Sequence, residues 1–226
     1  MLQVVKGFMQ KKLLHSLKMT KKFLTEHSAM NEELEDCLEK LHLAVGNVVI
    51  VSASENDKLP PPAEIAQEPM SIALYSDGGC RGNPGPGAWA FLVQNHSGEV
   101  LLQGAEFEMQ TTNNKMELSG ALYGLEHLVE KLPSLGREPK LTSVKVITDS
   151  KYLVEGMKSW IHGWKSRGWK KADGKPPENL DLWQRLDSMN EKFLGLDWLW
   201  VKGHGGHPQN EYCDRLANEL MDQNLN

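Results

Sequence analysis

The sequence predicts an α/β protein built around a mixed β-sheet. Short apolar runs of strand length occur first as a group of three and later singly, between longer segments of helical spacing. Adjacent strands followed by alternating helices and strands are typical of a mixed sheet. The composition, 40% hydrophobic and 24% charged, excludes collagen, a fully disordered chain and a low-complexity polymer. No run of about 18 apolar residues is present, so we expect no transmembrane helix.

The expected elements follow the order β-β-β-α-β-α-β-α. The strand-length runs end at turn residues, such as the glycines and prolines of residues 78–87 and the pair Ser97 and Gly98. Helices are predicted where apolar residues recur every three or four positions. The predicted strands cover residues 71–76, 88–94, 100–107, 144–148 and 197–201. The predicted helices cover residues 112–131, 151–157, 180–193 and 210–222.

Residues 1–56 differ in composition and predict a helical N-terminal extension. Residues 1–25 contain six lysines and no acidic residue, whereas residues 31–39 are acidic, and both stretches show helical spacing. Asn31 is the expected N-cap of the second helix. We therefore expect a pair of antiparallel helices. Two other interpretations of residues 1–25 stay open: an organellar targeting peptide, or a helix on an anionic membrane surface.

A proline-rich segment predicts the domain boundary. Residues 57–69 include consecutive prolines at positions 60–62 and a further one at Pro69. Prolines stiffen the chain and block helix formation. We interpret residues 57–69 as a linker and residues 70–226 as the main domain.

Charge and cysteine content narrow the possible functions. The net charge of −5 does not by itself suggest a nucleic-acid-binding protein. The three cysteines are widely spaced and lack a CxxC pair, which argues against a disulfide framework and against a zinc site. We therefore expect a reducing compartment, the cytoplasm, unless residues 1–25 direct the chain to an organelle.

Four acidic residues stand where active sites often form. Asp77 and Asp149 end apolar strands, Glu117 lies near the start of a long helix, and Asp214 lies in the first turns of the last helix. Carboxylates that converge without basic partners need a cation, and oxygen ligands suit Mg²⁺ or Mn²⁺. Spacing alone does not show that the four meet. The alternative is that each is a helix cap or a surface residue.

Four sequence blocks carry these acids. They are residues 75–87 (YSDGGCRGNPGPG), 111–117 (TTNNKME), 147–150 (ITDS) and 201–214 (VKGHGGHPQNEYCD). In order and spacing they resemble the signatures of type 1 ribonuclease H, and residues 160–169 are similar to the bacterial branch. The resemblance covers residues 71–222 and implies a ribonuclease H-like five-stranded mixed sheet with helices on both faces. The residues before Met70 lie outside it.

This resemblance implies an endonuclease that hydrolyses the RNA strand of RNA–DNA hybrids, leaving 5′-phosphate and 3′-hydroxyl ends. Asp77, Glu117, Asp149 and Asp214 would hold two divalent ions, Mg²⁺ or Mn²⁺. His204 would assist attack or product release. Removal of RNA primers and of R-loops would be the biological roles.

The same resemblance implies a set of substrate contacts. The residues that would face the minor groove near the cut are Cys80, Asn83, Asn113, Asn114 and Asn210. Amides both donate and accept hydrogen bonds, which suits 2′-hydroxyls and base edges. Thr112 would hold a phosphate of the DNA strand. For the asparagines, turn formation or helix capping is the alternative.

Residues 158–171 form a local basic segment with five basic residues, three tryptophans and no acid. Cations beside aromatic rings favour a nucleic-acid backbone, and this resembles the basic protrusion of bacterial members. We expect Trp164, Lys165, Arg167 and Lys170 to contact the hybrid away from the cut. The alternative for the tryptophans is that they pack the helices of the protrusion.

We expect a monomer without membrane association, whose N-terminal extension is available to a protein partner. Two other function classes stay open. One is a non-catalytic hybrid-binding module, against which the presence of all four acids argues. The other is a nuclease of the same superfold with a different substrate, against which Asn83, Asn113 and Asn114 argue.

Overall fold

The computed structural model describes residues 59–225 without interruption and, before them, residues 20, 23–25, 31, 34 and 38. The chain divides into two compact units, Met1–Val49 and Ile50–Asn226. In the first unit, the backbone N–H of Leu34 donates a 2.8 Å hydrogen bond to Asn31 Oδ1, which confirms Asn31 as an N-cap. Residues 20, 23–25, 34 and 38 are helical. The other residues of the predicted extension, and the choice between its targeting and membrane-surface alternatives, lie outside the described residues.

Five strands form one mixed sheet, as predicted. They are β1 (Ile72–Cys80), β2 (Gly85–Asn95), β3 (Val100–Thr111), β4 (Ser143–Thr148) and β5 (Gly195–Trp200). Their order in the sheet is β3-β2-β1-β4-β5. The pairs β1–β2 and β2–β3 are antiparallel, whereas β1–β4 and β4–β5 are parallel.

The helices lie in the predicted order. They are α1 (Asn113–Lys131), α2 (Lys151–Glu155), α3 (Ile161–Ser166), α4 (Leu180–Met189) and α5 (Pro208–Leu225). A π-helical turn, Gly156–Trp160, joins α2 to α3, so the helical segment continues beyond its predicted end at residue 157. A Cβ at Gly156 would lie 2.1 Å from the Trp183 ring, so only glycine fits there. No helix among the described residues is long and apolar enough to cross a membrane.

Alternation along β1 and β2 gives the sheet two buried faces. One face, with Leu74 and Phe91, packs against leucines of α1 and against Trp183 of α4. The opposite face, with Tyr75, packs against Tyr212 and other residues of α5. Helices therefore cover both faces, as predicted.

Strand β1 is longer than predicted, because it continues through Asp77 to Cys80. Gly78 and Gly79 keep their pairing with β2, opposite Trp89 and Ala88. A Cβ at Gly78 would lie 2.4 Å from the backbone of Met116, so this glycine lets α1 pass directly over the strand. The close approach brings the first turns of α1 to the strand that carries Asp77.

Residues 59–70, which we call the strap, pack against the rest of the domain. Ile65 is fully buried in the core on the α5 face, and Pro62 is buried as well. The Gln209 side chain donates a 2.8 Å hydrogen bond to the carbonyl of Pro60. The segment interpreted as a linker is thus, from Leu59 onward, part of the packed structure.

Candidate active site

Asp77 and Asp149 are brought together by strand pairing. β1 and β4 run parallel, and Tyr75 lies opposite Ile147. Asp77 and Asp149 each follow two residues later, so both stand at the same end of neighbouring strands. The C-terminal ends of parallel strands commonly carry the active site of an α/β sheet.

Glu117 reaches this end of the sheet from α1. Its carboxylate accepts a 2.9 Å hydrogen bond from Asn113 Nδ2, one turn earlier in the helix, and a 2.5 Å bond from Ser150 Oγ. Ser150 immediately follows Asp149, so the bond to Ser150 ties α1 to the end of β4. Both oxygens of Glu117 are therefore oriented by neighbours.

Asp214 comes from α5, on the far side of the sheet from Glu117. Its Oδ1 accepts a 2.8 Å hydrogen bond from Asn218 Nδ2, and its Oδ2 lies 4.0 Å from His204 Nδ1. The His204 side chain is 83% exposed and its backbone has a φ of 49°. An exposed imidazole beside a carboxylate can pass protons to and from solvent.

The loop of residues 202–207, which carries His204, contacts Asp149. A Cβ on Gly203 would lie 2.3 Å from Asp149 Oδ2, so the absence of a side chain at this position makes room for the carboxylate. Just before the loop, Trp200 Nε1 donates a 3.0 Å hydrogen bond to the Asp149 carbonyl. The loop is thereby placed beside the strand ends.

The four carboxylates share one electrostatic environment. Burial, followed by the negative charge of Asp149, raises the pKa of Asp77 to about 7. The charges of Asp214 and Glu117 act in the same direction, against a hydrogen bond from the Gly78 N–H. Burial, and then Asp149, also raise the pKa of Glu117. The other three carboxylates thus lie close enough to Asp77 to disfavour its ionisation, and Asp149 acts in the same way on Glu117.

This donor set has the chemistry of a divalent-cation site. The ion pairs recorded for Lys and Arg in the described part of the chain are with other acids, and the basic side chain beside the four carboxylates is His204, whose Nδ1 lies 4.0 Å from Asp214 Oδ2. Buried oxygen ligands that repel one another fit Mg²⁺ or Mn²⁺. As they stand, no three His, Cys, Asp or Glu side chains within the described part of the chain are arranged to hold a metal ion. Metal binding therefore requires side chains to rotate. Rotation of Glu117 is opposed by its hydrogen bonds from Asn113 and Ser150.

The predicted minor-groove residues divide into two groups. Asn83 Oδ1 lies 3.4 Å from the backbone N of Asn113, and the Asn113 backbone also hydrogen-bonds the Cys80 thiol, so these three lie together beside Glu117. Thr112 caps α1, because its hydroxyl accepts from the N–H of Lys115, and Asn114 is half-buried in the first turn. Both capping and substrate contact remain compatible with these positions.

Asn210 stands apart from that group. It is 2% exposed and lies at the start of α5. Its Oδ1 has no hydrogen-bond partner among the described residues. A side chain so buried does not face a groove in this conformation.

The side chains of the basic segment, residues 158–171, make more contacts within the protein than the composition of the segment indicates. Trp164 is 8% exposed and packs edge-on against Trp183, which favours the packing role over contact with a sugar. Lys165 Nζ lies 2.7 Å from Asp187, and Arg167 Nε donates to the carbonyl of Lys170. All three basic side chains are nevertheless exposed at the surface. They can bind phosphate, although Lys165 must give up an internal partner.

Sequence reasoning missed Ser150 and Trp200, which orient Glu117 and Asp149. A signal existed for Ser150, since a serine directly after a strand and before a helix is a typical N-cap. Ser150 does accept the Leu153 N–H. Its second bond, to Glu117, depends on tertiary contact and has no local signature.

Comparisons with known proteins show the family of this chain. The RNase H family model matches residues 69–222. The ribonuclease H of Dechloromonas aromatica is 45% identical over 153 residues, covering 68% of this chain and 95% of that protein. The ribonuclease H of Maricaulis maris is 47% identical over 149 residues, covering 66% of this chain and 92% of that protein.

Solved structures give the same result. LC9-RNase H1, a type 1 RNase H with the type 2 active-site motif, has a TM-score of 0.55 and 34% identity, covering 68% of this chain and 73% of that chain. LC11-RNase H1, solved in complex with an RNA/DNA hybrid, has a TM-score of 0.55 and 25% identity, covering 69% of this chain and 100% of that chain. Enzymes of the family are metal-dependent nucleases. The chain therefore belongs to the ribonuclease H family and is a ribonuclease H enzyme.

Proposed function

We propose that this chain hydrolyses the RNA strand of RNA–DNA hybrids internally and leaves 5′-phosphate and 3′-hydroxyl ends. The observation that carries the proposal is the cluster of Asp77, Glu117, Asp149 and Asp214, in which burial of Asp77 and the charges of the other three raise the pKa of Asp77 to about 7. Similarity to LC11-RNase H1, solved with an RNA/DNA hybrid, supports the substrate. The cluster supplies the anionic ligands that phosphodiester hydrolysis by this family requires.

The four carboxylates would hold two divalent ions, Mg²⁺ or Mn²⁺. When bound, such ions supply Lewis acidity at the scissile phosphate and lower the pKa of the attacking water. Asn113 and Ser150 hold Glu117 for this task, and Trp200 holds the backbone of Asp149. The backbone of Asp77 is held by the pairing of β1 with β2, where Asp77 lies opposite Ala90.

His204 would move protons at the edge of the site. Its Nδ1 lies 4.0 Å from Asp214, and its exposure lets it exchange protons with water. An imidazole titrates near neutral pH, so it can accept a proton during attack or deliver one to the departing product. It acts beside the carboxylates and not as one of the cation ligands.

Recognition of the hybrid would combine two surfaces. Cys80, Asn83 and Asn113, with Asn114 next to them, lie beside Glu117 and would meet the 2′-hydroxyls near the cut, and Thr112 would hold a phosphate of the DNA strand. The exposed cations of the basic segment, Lys165, Arg167 and Lys170, would bind the backbone farther away. Local charge thus explains how a chain of net charge −5 binds nucleic acid.

Removal of RNA primers and of R-loops follows from this activity as the proposed biological role. We also propose the cytoplasm as its compartment, because Cys80 and Cys213 are free thiols. A monomer, a main domain that includes the strap as well as residues 70–226, and a partner-binding role for residues 1–56 complete the proposal.

One assay tests the activity. Labelled RNA–DNA hybrid, duplex RNA and duplex DNA are incubated with the full chain in Mg²⁺ or in EDTA. We expect cutting of the hybrid RNA only, lost in EDTA and in Asp149→Asn, while hybrid binding by this variant persists. The matched control is Asp181→Asn, which changes an exposed aspartate on α4 and should cut normally.

Each of the other outcomes contradicts part of the proposal and indicates a different function or site. Binding without cutting by the wild-type chain indicates a non-catalytic hybrid-binding module. Cutting of duplex DNA indicates a nuclease of the same superfold with another substrate. Near-normal turnover by Asp149→Asn would show that the carboxylate assignment is wrong.

A further inference from the structure

We propose that Glu64 is a positioning residue for the loop of residues 202–207, acting through its bond to His207. The inference rests on the proposed function, since this loop carries His204. Glu64 belongs to the strap and precedes residue 69, where the family match begins. A residue outside the matched domain would therefore contribute to the geometry of its active site.

Two side chains of the domain hold the Glu64 carboxylate. Tyr75 Oη donates a 2.8 Å hydrogen bond to Oε2, and His207 Nε2 lies 2.6 Å from Oε1. The backbone N of Asn210 donates to His207 Nδ1, which leaves Nε2 to donate to Glu64. The side chains of Glu64 and His207 are only 16% and 21% exposed, so water competes weakly for the bond.

Glu64 stays ionised in this environment. Burial raises its pKa, but the hydrogen bonds from His207, from the backbone of Glu64 and from Tyr75, together with the electrostatic attraction of His207, outweigh burial and hold the pKa at about 2. The pair with His207 is therefore charge-assisted over the whole neutral range, which makes it stronger than a bond between neutral groups.

The strap can serve as an anchor because it is itself fixed. Lys145 Nζ, from β4, donates a 2.8 Å hydrogen bond to the Glu64 carbonyl. Gln209 Nε2 holds the carbonyl of Pro60, and Ile65 is fully buried one residue beyond Glu64. The carboxylate of Glu64 thus projects from a backbone that is tied to α5 at Pro60, to β4 at Glu64 itself and to the core at Ile65.

His207 is the last residue of the loop and directly precedes α5. Its carbonyl accepts a hydrogen bond from the Glu211 N–H in the first turn of α5, so a shift of His207 would also move that turn. The loop before it has little stiffness of its own, because Gly203, Gly205 and Gly206 flank His204.

Both ends of the loop are consequently held. At the first end, Trp200 bonds to the Asp149 carbonyl. At the second end, Glu64 holds His207, and an exposed bond from Gly206 N to Glu211 adds a local tie. Loss of the Glu64 bond would widen the range of positions that His204 samples beside Asp214, and fewer molecules would be ready to react.

The test compares two variants of the full chain. Glu64→Gln keeps the size of the side chain but removes the charge that His207 bonds. Glu68→Gln is the matched control: it makes the same change in the same strap, where Glu68 bonds Lys145 and Ser71 and not α5. Hybrid cleavage gives kcat and KM, and hydrogen exchange measures the backbone amides of residues 203–207 and of β1.

We expect Glu64→Gln to lower kcat by about 3- to 10-fold with KM changed by less than about twofold. The amides of residues 203–207 should exchange roughly tenfold faster while those of β1 stay protected. Glu68→Gln should change neither quantity.

Equal behaviour of the two variants, or faster exchange of β1 together with the loop, would overturn the proposal, since it would show a general loss of stability. Wild-type chain that fails to cut hybrid would end the proposed function, yet the exchange comparison would still decide whether Glu64 holds the loop.

Discussion

Ser150 Oγ donates a 2.5 Å hydrogen bond to Glu117 Oε2, and this bond joins the two halves of the acidic cluster. Glu117 comes from α1, whereas Ser150 directly follows Asp149 at the end of β4. The same hydroxyl accepts the Leu153 N–H and so caps α2. One small side chain therefore couples the start of a helix to the orientation of a proposed cation ligand.

Ser150→Ala should weaken both stability and activity. Loss of a buried N-cap and of a bond to a carboxylate should lower the free energy of unfolding by about 1–3 kcal/mol. The freed Glu117 should lower kcat several-fold. Urea unfolding and hybrid cleavage measure the two effects, with the exposed Ser188→Ala of α4 as control. Unchanged kcat in a destabilised variant would limit Ser150 to capping.

The raised pKa of Asp77 predicts a pH-dependent stability without divalent ions. Its pKa in the folded chain, about 7, lies above the ordinary value of 3.8, so folding favours the protonated form. The contribution of this group to stability is full below about pH 4 and is lost as the pH rises through 7.

Asp77→Asn should therefore stabilise the chain in EDTA at pH 8 by roughly 1–4 kcal/mol and change it little at pH 4. Chemical unfolding at the two pH values measures the difference, and exposed Glu191→Gln serves as control. A variant less stable than wild type at pH 8 would show that Asp77 ionisation does not oppose folding.

Divalent cations should stabilise the folded chain, because they relieve the repulsion among the carboxylates. At 100 times the dissociation constant, one bound ion contributes about 2.7 kcal/mol. We expect Tm to rise with Mg²⁺ or Mn²⁺ in the wild-type chain and to rise far less in Asp149→Asn. Thermal melts across a metal titration measure this, and a flat wild-type Tm would contradict the cation site.

Gly203→Ala should disturb the site without unfolding the domain. The added Cβ would lie 2.3 Å from Asp149 Oδ2, so the carboxylate or the loop must move. We expect kcat to fall at least about tenfold, with a stability cost of about 1–3 kcal/mol. At Gly195 an added Cβ meets nothing within 4 Å, so Gly195→Ala is the matched control for cleavage kinetics. Normal kcat in Gly203→Ala would mean that Asp149 tolerates displacement.

Much of this protein was predictable from local patterns. Apolar runs and helical spacing predicted the order of strands and helices. A strand buries alternate side chains and a helix buries every third or fourth, so each leaves its own period in the sequence. The four acidic residues stood out at strand ends and helix starts, but only the resemblance to type 1 ribonuclease H implied that they act as a set. Asn31 as an N-cap needed only its immediate neighbours.

Other features depended on contacts between distant parts of the chain. Trp164 and Asn210 look like surface contacts in the sequence but are buried by packing against other elements. The proline-rich residues before Met70 suggested a free linker, yet Ile65 enters the core and Glu64 meets His207, which lies 143 residues farther along the chain. Composition reports the stiffness of a segment but not its tertiary partner. The folded sheet brings the ends of β1 and β4 close to the start of α5. Only this tertiary arrangement decides which side chains orient the carboxylates and the loop of residues 202–207.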